Sequence, residues 1–352
     1  MNLLGKLEII LSIIIIINLS CCNKMASNSE NVKLSKWLEN NISSEFTHRE
    51  SLINIIETIA EATIPIRGLL ERGITSREIE HRMNIVNPKE DGKNLFEETQ
   101  IHEDILTHSI ILKALQESHN EIQFIASEEA EPILGNGFFG ISIDPVDGSS
   151  NVKVNRTVGT IVGIYDEIGR IICGFYALYG IFTNLVIAVD NKVAEFILDT
   201  SPYSMTFYHY IFQGLKTLPN VKKGGIRCFG GDSTLWSSKC QLYEQELIKR
   251  QFKDRYSGSF VGDFHTIINY GGVYSYFLQK GKAKIRLYYE WLPLTFIVKT
   301  LGGEFLIIDD SDDVKYLEDI ELLTRDNVLK IHTTTCGGLI GNEKAVNLFL
   351  SL

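Results

Sequence analysis

The chain of 352 residues is 44% hydrophobic and 22% charged, with a formal net charge of −10. That length and apolar content allow two globular domains with large cores and exclude a disordered chain. The acidic balance excludes a general nucleic-acid binder, so an anionic small substrate has to be met by individually placed cations or by metal ions. Six cysteines, Cys21, Cys22, Cys173, Cys228, Cys240 and Cys336, show no doubled C-x-x-C spacing and read as reduced thiols, and the eight histidines form no HExxH zinc motif.

Residues 1–24 stand apart from the rest. Lys6 precedes the isoleucine-rich run Leu7 to Leu19, which ends in Ser20-Cys21-Cys22. The run reads as a signal-peptide core or a short anchor and is short for a transmembrane helix; the competing reading starts the working chain at Met25. Localisation follows that choice: cytoplasmic if the leader is unused, a plastid or secretory route if it is used. Residues 25–44 read as a polar linker, 45–220 as a first α/β domain and 221–352 as a second.

Thr47 and Glu50 have the capping-box spacing ahead of Leu52, Ile55, Ile56, Ile59, Ile66 and Leu70, predicting an amphipathic helix that Pro65 kinks and Gly73 closes. A second helix is predicted from Asp104 to Ser118, with Ile105, Leu106, Leu112 and Leu115 towards the core; His102 and His108 read there as solvated or packed rather than as ligands.

Two apolar runs then end in acids. Ile122 to Ala126 leads into Ser127-Glu128-Glu129, and Phe138 to Ile143 leads into Asp144-Pro145-Val146-Asp147-Gly148-Ser149-Ser150. Each run predicts a buried strand whose end delivers carboxylates, and together they imply one shared site for a hard cation. The Gly-Ser-Ser turn offers backbone N–H groups suited to a phosphate. Asp, Pro, Gly and Ser also make ordinary β-turns, and the second acidic stretch is what weighs against that reading.

Strands follow at Thr160 to Tyr165, Arg170 to Tyr176, Asn184 to Val189 and Val193 to Leu198, with turns at 166–169 and 190–191. Thr200 to Gly225 reads as the join between halves. Helices at Leu235 to Lys253, Ser259 to Tyr270 and Pro293 to Leu301 alternate with strands at Val273 to Leu278 and Phe305 to Ile308. Two layered α/β halves result, and the cleft between them is the default ligand site.

The motifs are Ser127-Glu128-Glu129, Asp144 to Asn151, Val158-Gly159-Thr160, Tyr176 to Gly180, Arg255-Tyr256-x-Gly258-Ser259 with Asp263 and His265, and Lys284-x-Arg286-Leu287-x-Tyr289-Glu290-x-x-Pro293. In them, from about Glu45 to the C-terminus, the chain resembles the fructose-1,6-bisphosphatase family and its close relative sedoheptulose-1,7-bisphosphatase. The resemblance implies a two-domain fold layered α/β/α/β/α with its active site in the domain cleft. It also implies a magnesium-dependent phosphomonoesterase that takes the 1-phosphate from fructose 1,6-bisphosphate, giving fructose 6-phosphate in gluconeogenesis.

On that resemblance Glu128, Asp144, Asp147 and Glu290, with the carbonyl of Val146, hold about two or three Mg²⁺ ions, Mn²⁺ or Zn²⁺ being alternatives. Asp104 and Glu129 match the pair that orients and deprotonates the attacking water, and Glu98 falls where the family places another metal-site acid. The N–H groups of Gly148, Ser149 and Ser150 hold the reacting phosphate. Arg255, Tyr256, Tyr276 and Lys284 surround the second phosphate, Arg as a fork, Lys as a point charge and the tyrosines as neutral donors. The implied partners are a sugar bisphosphate and further copies of the chain, in a tetramer or dimer, with no nucleic acid and no stable membrane partner.

Departures from the family pattern carry their own expectations. Glu97 to Asp104 lacks the family's basic G-D-x-x-K-K-L-D form. Arg227-Cys228-Phe229-Gly230-Gly231-Asp232 stands where the bisphosphatase pattern has Ser-Ile-Asn-Glu-Gly, which keeps sedoheptulose 1,7-bisphosphate open as substrate. The positions of the animal-type AMP site hold Glu45-Phe46-Thr47, Phe138-Phe139 and Asp166, and an acid there repels a nucleotide phosphate, so AMP insensitivity is expected. With no clustered cysteines in an inserted loop, thioredoxin control is not expected. A non-catalytic sugar-phosphate-binding homologue and an inositol monophosphatase relative are the remaining readings; Arg255 and Lys284 argue against the latter.

Overall fold

The structure, a computed structural model, describes residues 32–71, 102–200, 208–309 and 313–352. In the first half, helices α1 (Leu34–Asn41), α2 (Arg49–Glu71) and α3 (His102–Leu115) cover one face of a sheet. Its strands are β1 (Ile122–Ser127), β2 (Ala130–Leu134), β3 (Phe139–Asp147), β4 (Val158–Tyr165), β5 (Ile171–Tyr179), β6 (Thr183–Val189), β7 (Lys192–Asp199) and β8 (His209–Leu215), ordered β2-β1-β3-β4-β5-β6-β7-β8. Among the described strands of this sheet, β1 and β3 run parallel and the other neighbours are antiparallel.

The second half adds β9 (Ile226–Gly230), α4 (Ser238–Lys249), β10 (Lys253–Asp254), α5 (Phe260–Tyr270), β11 (Gly272–Tyr276), β12 (Ile285–Arg286), α6 (Leu292–Thr300), β13 (Glu304–Ile308), β14 (Val314–Lys315), β15 (Thr335–Gly341) and α7 (Glu343–Leu348). Its sheet runs β10-β9-β11-β15-β13-β14, with β12 also on β15. Helices α5 and α6 lie between the two sheets, and α4 and α7 cover the far face of the second, giving the α/β/α/β/α layering. Covering both faces explains why β3 and β4 are buried at every position and read as continuous apolar runs rather than alternating ones.

Several local expectations change. The strand expected to stop at Ile143 continues to Asp147, and its pairing with β4 shifts register between Asp144 and Asp147. Pro145 lies in that shift and has no N–H to give the ladder, while its carbonyl accepts from Thr160 Oγ1 at 2.8 Å. Part of the segment read as polar linker forms α1, because Trp37 and Leu38 bury themselves against the sheet, Trp37 edge-on to Phe196 at 5.6 Å. The segment read as a join supplies β8, an edge strand with mostly half-exposed positions and therefore little periodic signal. The helix expected over Leu235 to Lys253 begins only at Ser238, capped by Ser237 Oγ, and ends before Gln251, which sits at φ +63°. Helix α2 continues through Pro65, and Glu50 accepts from Arg49 Nη1 at 2.5 Å; Gly73 and the leader 1–24 lie outside the described residues. Among those residues no helix is long and apolar enough to cross a membrane, and Cys173, Cys228, Cys240 and Cys336 are buried free thiols.

Candidate active site

A cleft of about 250 Å³ opens between the two halves. The first half lines it with Asp104 from α3, Glu128 and Glu129 after β1, and Asp144, Val146 and Asp147 from β3. Gly148, Ser149 and Ser150 of the following turn complete that wall. The second half contributes Tyr256, Tyr276, Lys284, Arg286 and Glu290.

The β3 irregularity aims both aspartates into this space. Asp144 Oδ1 accepts from Val146 N at 3.0 Å, a tight turn about Pro145. Asp147 is held from the other half: Oδ2 accepts from Ser259 Oγ at 2.7 Å and Val261 N at 2.8 Å, and Oδ1 accepts from Phe260 N at 3.2 Å. These donors are the N-terminal turn of α5, whose N–H groups have no partner within the helix and whose dipole favours an anion. Glu290 lies on a five-residue π-type turn, Leu287–Trp291, that feeds α6, and its Oε2 accepts from Arg286 N at 2.6 Å. Arg286 Nε stands 3.6 Å from Glu128 Oε1.

Carboxylate oxygens of Asp144, Asp147 and Glu290 lie within 4.8 Å of one another. Burial, then the charges of Glu128, Asp147, Glu290 and Glu129, pushes the Asp144 carboxyl well above the usual carboxylate range. Glu290 is driven upward in the same way by burial and by Glu128 and Asp147. For Asp147 burial also wins, although its three hydrogen bonds pull the other way. Like charges so crowded in a low-dielectric wall are costly without a counter-charge, and an all-oxygen donor set suits a hard divalent cation.

Gly148 turns the chain at φ +76°, and a Cβ there would fall 2.6 Å from Ser259 Cβ, so both the conformation and the close approach of the halves require glycine. Behind this turn, Asp263 carboxylate oxygens accept from Ser257 N at 2.9 and 3.2 Å, bracing the loop that carries Tyr256. In the same cleft, Lys284 Nζ lies 5.8 Å from the centre of the Tyr276 ring.

Glu98 lies outside the described residues. Arg255 is exposed, with Nη1 donating to Asp254 O at 3.1 Å, and it does not line the cleft. Its backbone N–H pairs with Arg227 O at 3.0 Å. Successive side chains of such an extended segment face opposite ways, so Tyr256 in the cleft sends Arg255 outward. Ser259 and Arg286 carry contacts that the sequence reading assigned to no role. Arg286 was legible as a member of the motif that also carries Lys284 and Glu290. Ser259 was legible as a helix cap, but its bond to Asp147 is visible only in the fold.

A cleft that gathers carboxylates, a glycine-serine turn and a lysine can hold a hard cation beside a phosphate ester. The family model described as the N-terminal domain of fructose-1-6-bisphosphatase matches residues 83–209, and the model of its C-terminal domain matches residues 222–328. The class 1 fructose-1,6-bisphosphatase of Methanocorpusculum labreanum is 35% identical over 289 residues, 79% of this chain and 83% of that one. The fructose-1,6-bisphosphatase of Schizosaccharomyces pombe is 30% identical over 234 residues, 60% of this chain and 65% of that one. The holo crystal structure of Leishmania major fructose-1,6-bisphosphatase superposes with a TM-score of 0.74 at 21% identity, over 92% of this chain and 99% of that chain. The chain belongs to the fructose-1,6-bisphosphatase family.

Proposed function

We propose that the protein is a Mg²⁺-dependent fructose-1,6-bisphosphatase, releasing the 1-phosphate and leaving fructose 6-phosphate. The observation that carries this reading is that one cleft holds two kinds of group: Asp144, Asp147 and Glu290 crowd within 4.8 Å of one another, and Lys284 and Tyr276 stand together in the same cleft. A bisphosphate needs both, one end reacting and one end gripped.

Asp144, Asp147 and Glu290 would hold the Mg²⁺, with Glu128 and the Val146 carbonyl beside them. When bound, the metal supplies charge neutralisation for an in-line displacement at phosphorus and lowers the pKa of the attacking water. Asp104 and Glu129 orient that water and accept its proton. The N–H groups of the Gly148-Ser149-Ser150 turn hold the reacting phosphate, and Tyr256, Tyr276 and Lys284 hold the distal one. The exposed Arg255 is left out of that set, and a homo-oligomer, tetramer or dimer, is the assembly that goes with the family reading. A cytoplasmic place of action goes with the buried thiols of Cys173, Cys228, Cys240 and Cys336.

AMP insensitivity belongs to the same reading. His48 stacks on Phe138 at 3.5 Å between ring centres and 12° between planes, and Asp166 already binds Arg170. Support for this reading comes from the sequence, in which Glu45-Phe46-Thr47, Phe138-Phe139 and Asp166 stand at the positions of the animal-type AMP site.

A substrate panel of fructose 1,6-bisphosphate, sedoheptulose 1,7-bisphosphate and an inositol monophosphate with Mg²⁺ tests the proposal, the first being expected to give the highest kcat/KM. Preference for the inositol ester, or no turnover of any, would reject it. Sedoheptulose 1,7-bisphosphate is the second reading. It is favoured by Gly230 at the end of β9 and Gly231 after it, which leave the distal pocket without an amide from that strand.

A further inference from the structure

At the distal end of the cleft, the side chains missing from Gly230 and Gly231 leave room that the opposite strand fills. A Cβ on Gly230 would lie 2.5 Å from Tyr276 Cδ2 and 2.8 Å from Tyr256 Cε2, and one on Gly231, at φ +88°, would lie 2.5 Å from Gln279 Nε2. Gln279 thus puts a side-chain amide where one from β9 would otherwise have to reach.

Both ends of that amide are engaged. Asp232 N donates to Gln279 Oε1 at 3.2 Å, and Gln279 Nε2 donates to Tyr276 Oη at 3.3 Å. A backbone N–H can only donate, so the amide oxygen must face Asp232 and the NH₂ must face the phenol. The residue is also held by its backbone. Gln279 and Lys282 exchange hydrogen bonds of 3.0 and 3.1 Å across Lys280 (φ +52°) and Gly281 (φ +74°), the conformation of a tight two-residue hairpin turn. Lys280 N donates to Leu235 O at 3.1 Å, tying the hairpin to the loop after β9. The other arm of the hairpin leads to Lys284, so one rigid unit carries both residues.

A phenol has one proton and two lone pairs. With one lone pair taken by an N–H, the Tyr276 proton has no use for Gln279 and is available to an anion in the cleft. We propose that Gln279 is a positioning residue for the distal phosphate: by donating to the Tyr276 oxygen it directs the tyrosine O–H towards a phosphate oxygen beside Lys284. This rests on the bisphosphatase reading, because it assigns Tyr276 to the non-reacting end.

The test uses the full chain with Mg²⁺ and compares wild type, Gln279→Leu, Gln279→Glu, Tyr276→Phe and Gln279→Leu/Tyr276→Phe. Gln279→Leu is expected to raise KM for fructose 1,6-bisphosphate about five- to tenfold with kcat changed less than twofold, the size of one ordinary hydrogen bond. The Kd for fructose 6-phosphate, by calorimetry, should rise by the same factor. Gln279→Glu keeps the shape and the Asp232 contact but accepts the tyrosine proton instead of donating, so it should raise KM at least as much as leucine does. In the Tyr276→Phe background the leucine change should add less than twofold. An unchanged KM for Gln279→Leu, a near-neutral Gln279→Glu, or full multiplicative effects in the double variant would overturn the inference while leaving the bisphosphatase reading intact. A wild-type protein that neither hydrolyses the bisphosphate nor binds fructose 6-phosphate would overturn both.

Discussion

Ser259 Oγ donates to Asp147 Oδ2 at 2.7 Å, a bond between residues 112 apart in the chain that joins the start of α5 to the carboxylate ending β3. Through it the second half of the molecule sets the direction of an acid supplied by the first. Phe260 N and Val261 N complete the hold, so the geometry of the cleft depends on how the two halves meet.

Removing that hydroxyl should loosen the acid without removing it. Ser259→Ala is expected to weaken Mg²⁺ activation by about ten- to a hundredfold, the usual cost of losing a group that orients a metal ligand. Asp147→Ala should abolish activation and lower kcat by several orders of magnitude. Activity titrated against Mg²⁺ concentration measures both, and an unchanged activation constant in Ser259→Ala would show that the two backbone donors suffice.

Lys284→Ala should raise KM for the bisphosphate with a smaller change in kcat, because its charge meets the end that does not react. A loss confined to kcat would place Lys284 at the reacting phosphate instead. Steady-state kinetics over a wide substrate range decides between these.

AMP up to millimolar concentration is expected to leave activity unchanged, since Glu45-Phe46-Thr47, Phe138-Phe139 and Asp166 stand where the animal-type pattern has its nucleotide-binding residues. Half-inhibition at micromolar AMP would refute the reading of that surface.

A half-buried histidine and a buried aspartate make opposing contributions to stability against pH. Burial pushes His265, whose Nδ1 shares a hydrogen bond of 2.7 Å with Tyr176 Oη, down from 6.5 to about 4. The unfolded histidine binds a proton that the folded one refuses, so its contribution is whole above about pH 6.5 and is lost as pH falls towards 4. Burial pushes Asp263 up from 3.8 to about 7. Here the folded state binds the proton, so its contribution is present at low pH and is lost as pH rises through 7. Each titration changes the slope of unfolding free energy by at most about 1.4 kcal/mol per pH unit, with opposite signs. Denaturant unfolding in EDTA between pH 4.5 and 6.5 should therefore fall more steeply with acid in Asp263→Asn and less steeply in His265→Gln. Parallel curves for both variants would contradict the assignment.

Much of the architecture was legible in the residues because buried strands and amphipathic helices write their environment into apolar runs. The strands Thr183–Val189 and Lys192–Asp199 and the helices α5 and α6 fall within one or two residues of where hydrophobic pattern and turn chemistry put them. Elements held by a few long-range contacts left little trace. Helix α1 is anchored by Trp37 and Leu38 against the sheet, and β8 is an edge strand whose pairing with β7 supplies order that its own composition does not show.

The amino-acid sequence by itself determined which acids, glycines and basic residues the chain offers and the family to which it belongs, because motif chemistry is local and survives in the order of residues. Only the tertiary structure decided which of them face one another. It turned Arg255 to the surface, brought Arg286 to Glu128 and Ser259 to Asp147, and filled the space beside Gly230 and Gly231 with Tyr276 and Gln279. The physical reason is that a hydrogen bond or charge contact acts over a few ångströms, and packing two sheets around α5 and α6 brings residues far apart in the chain within that reach.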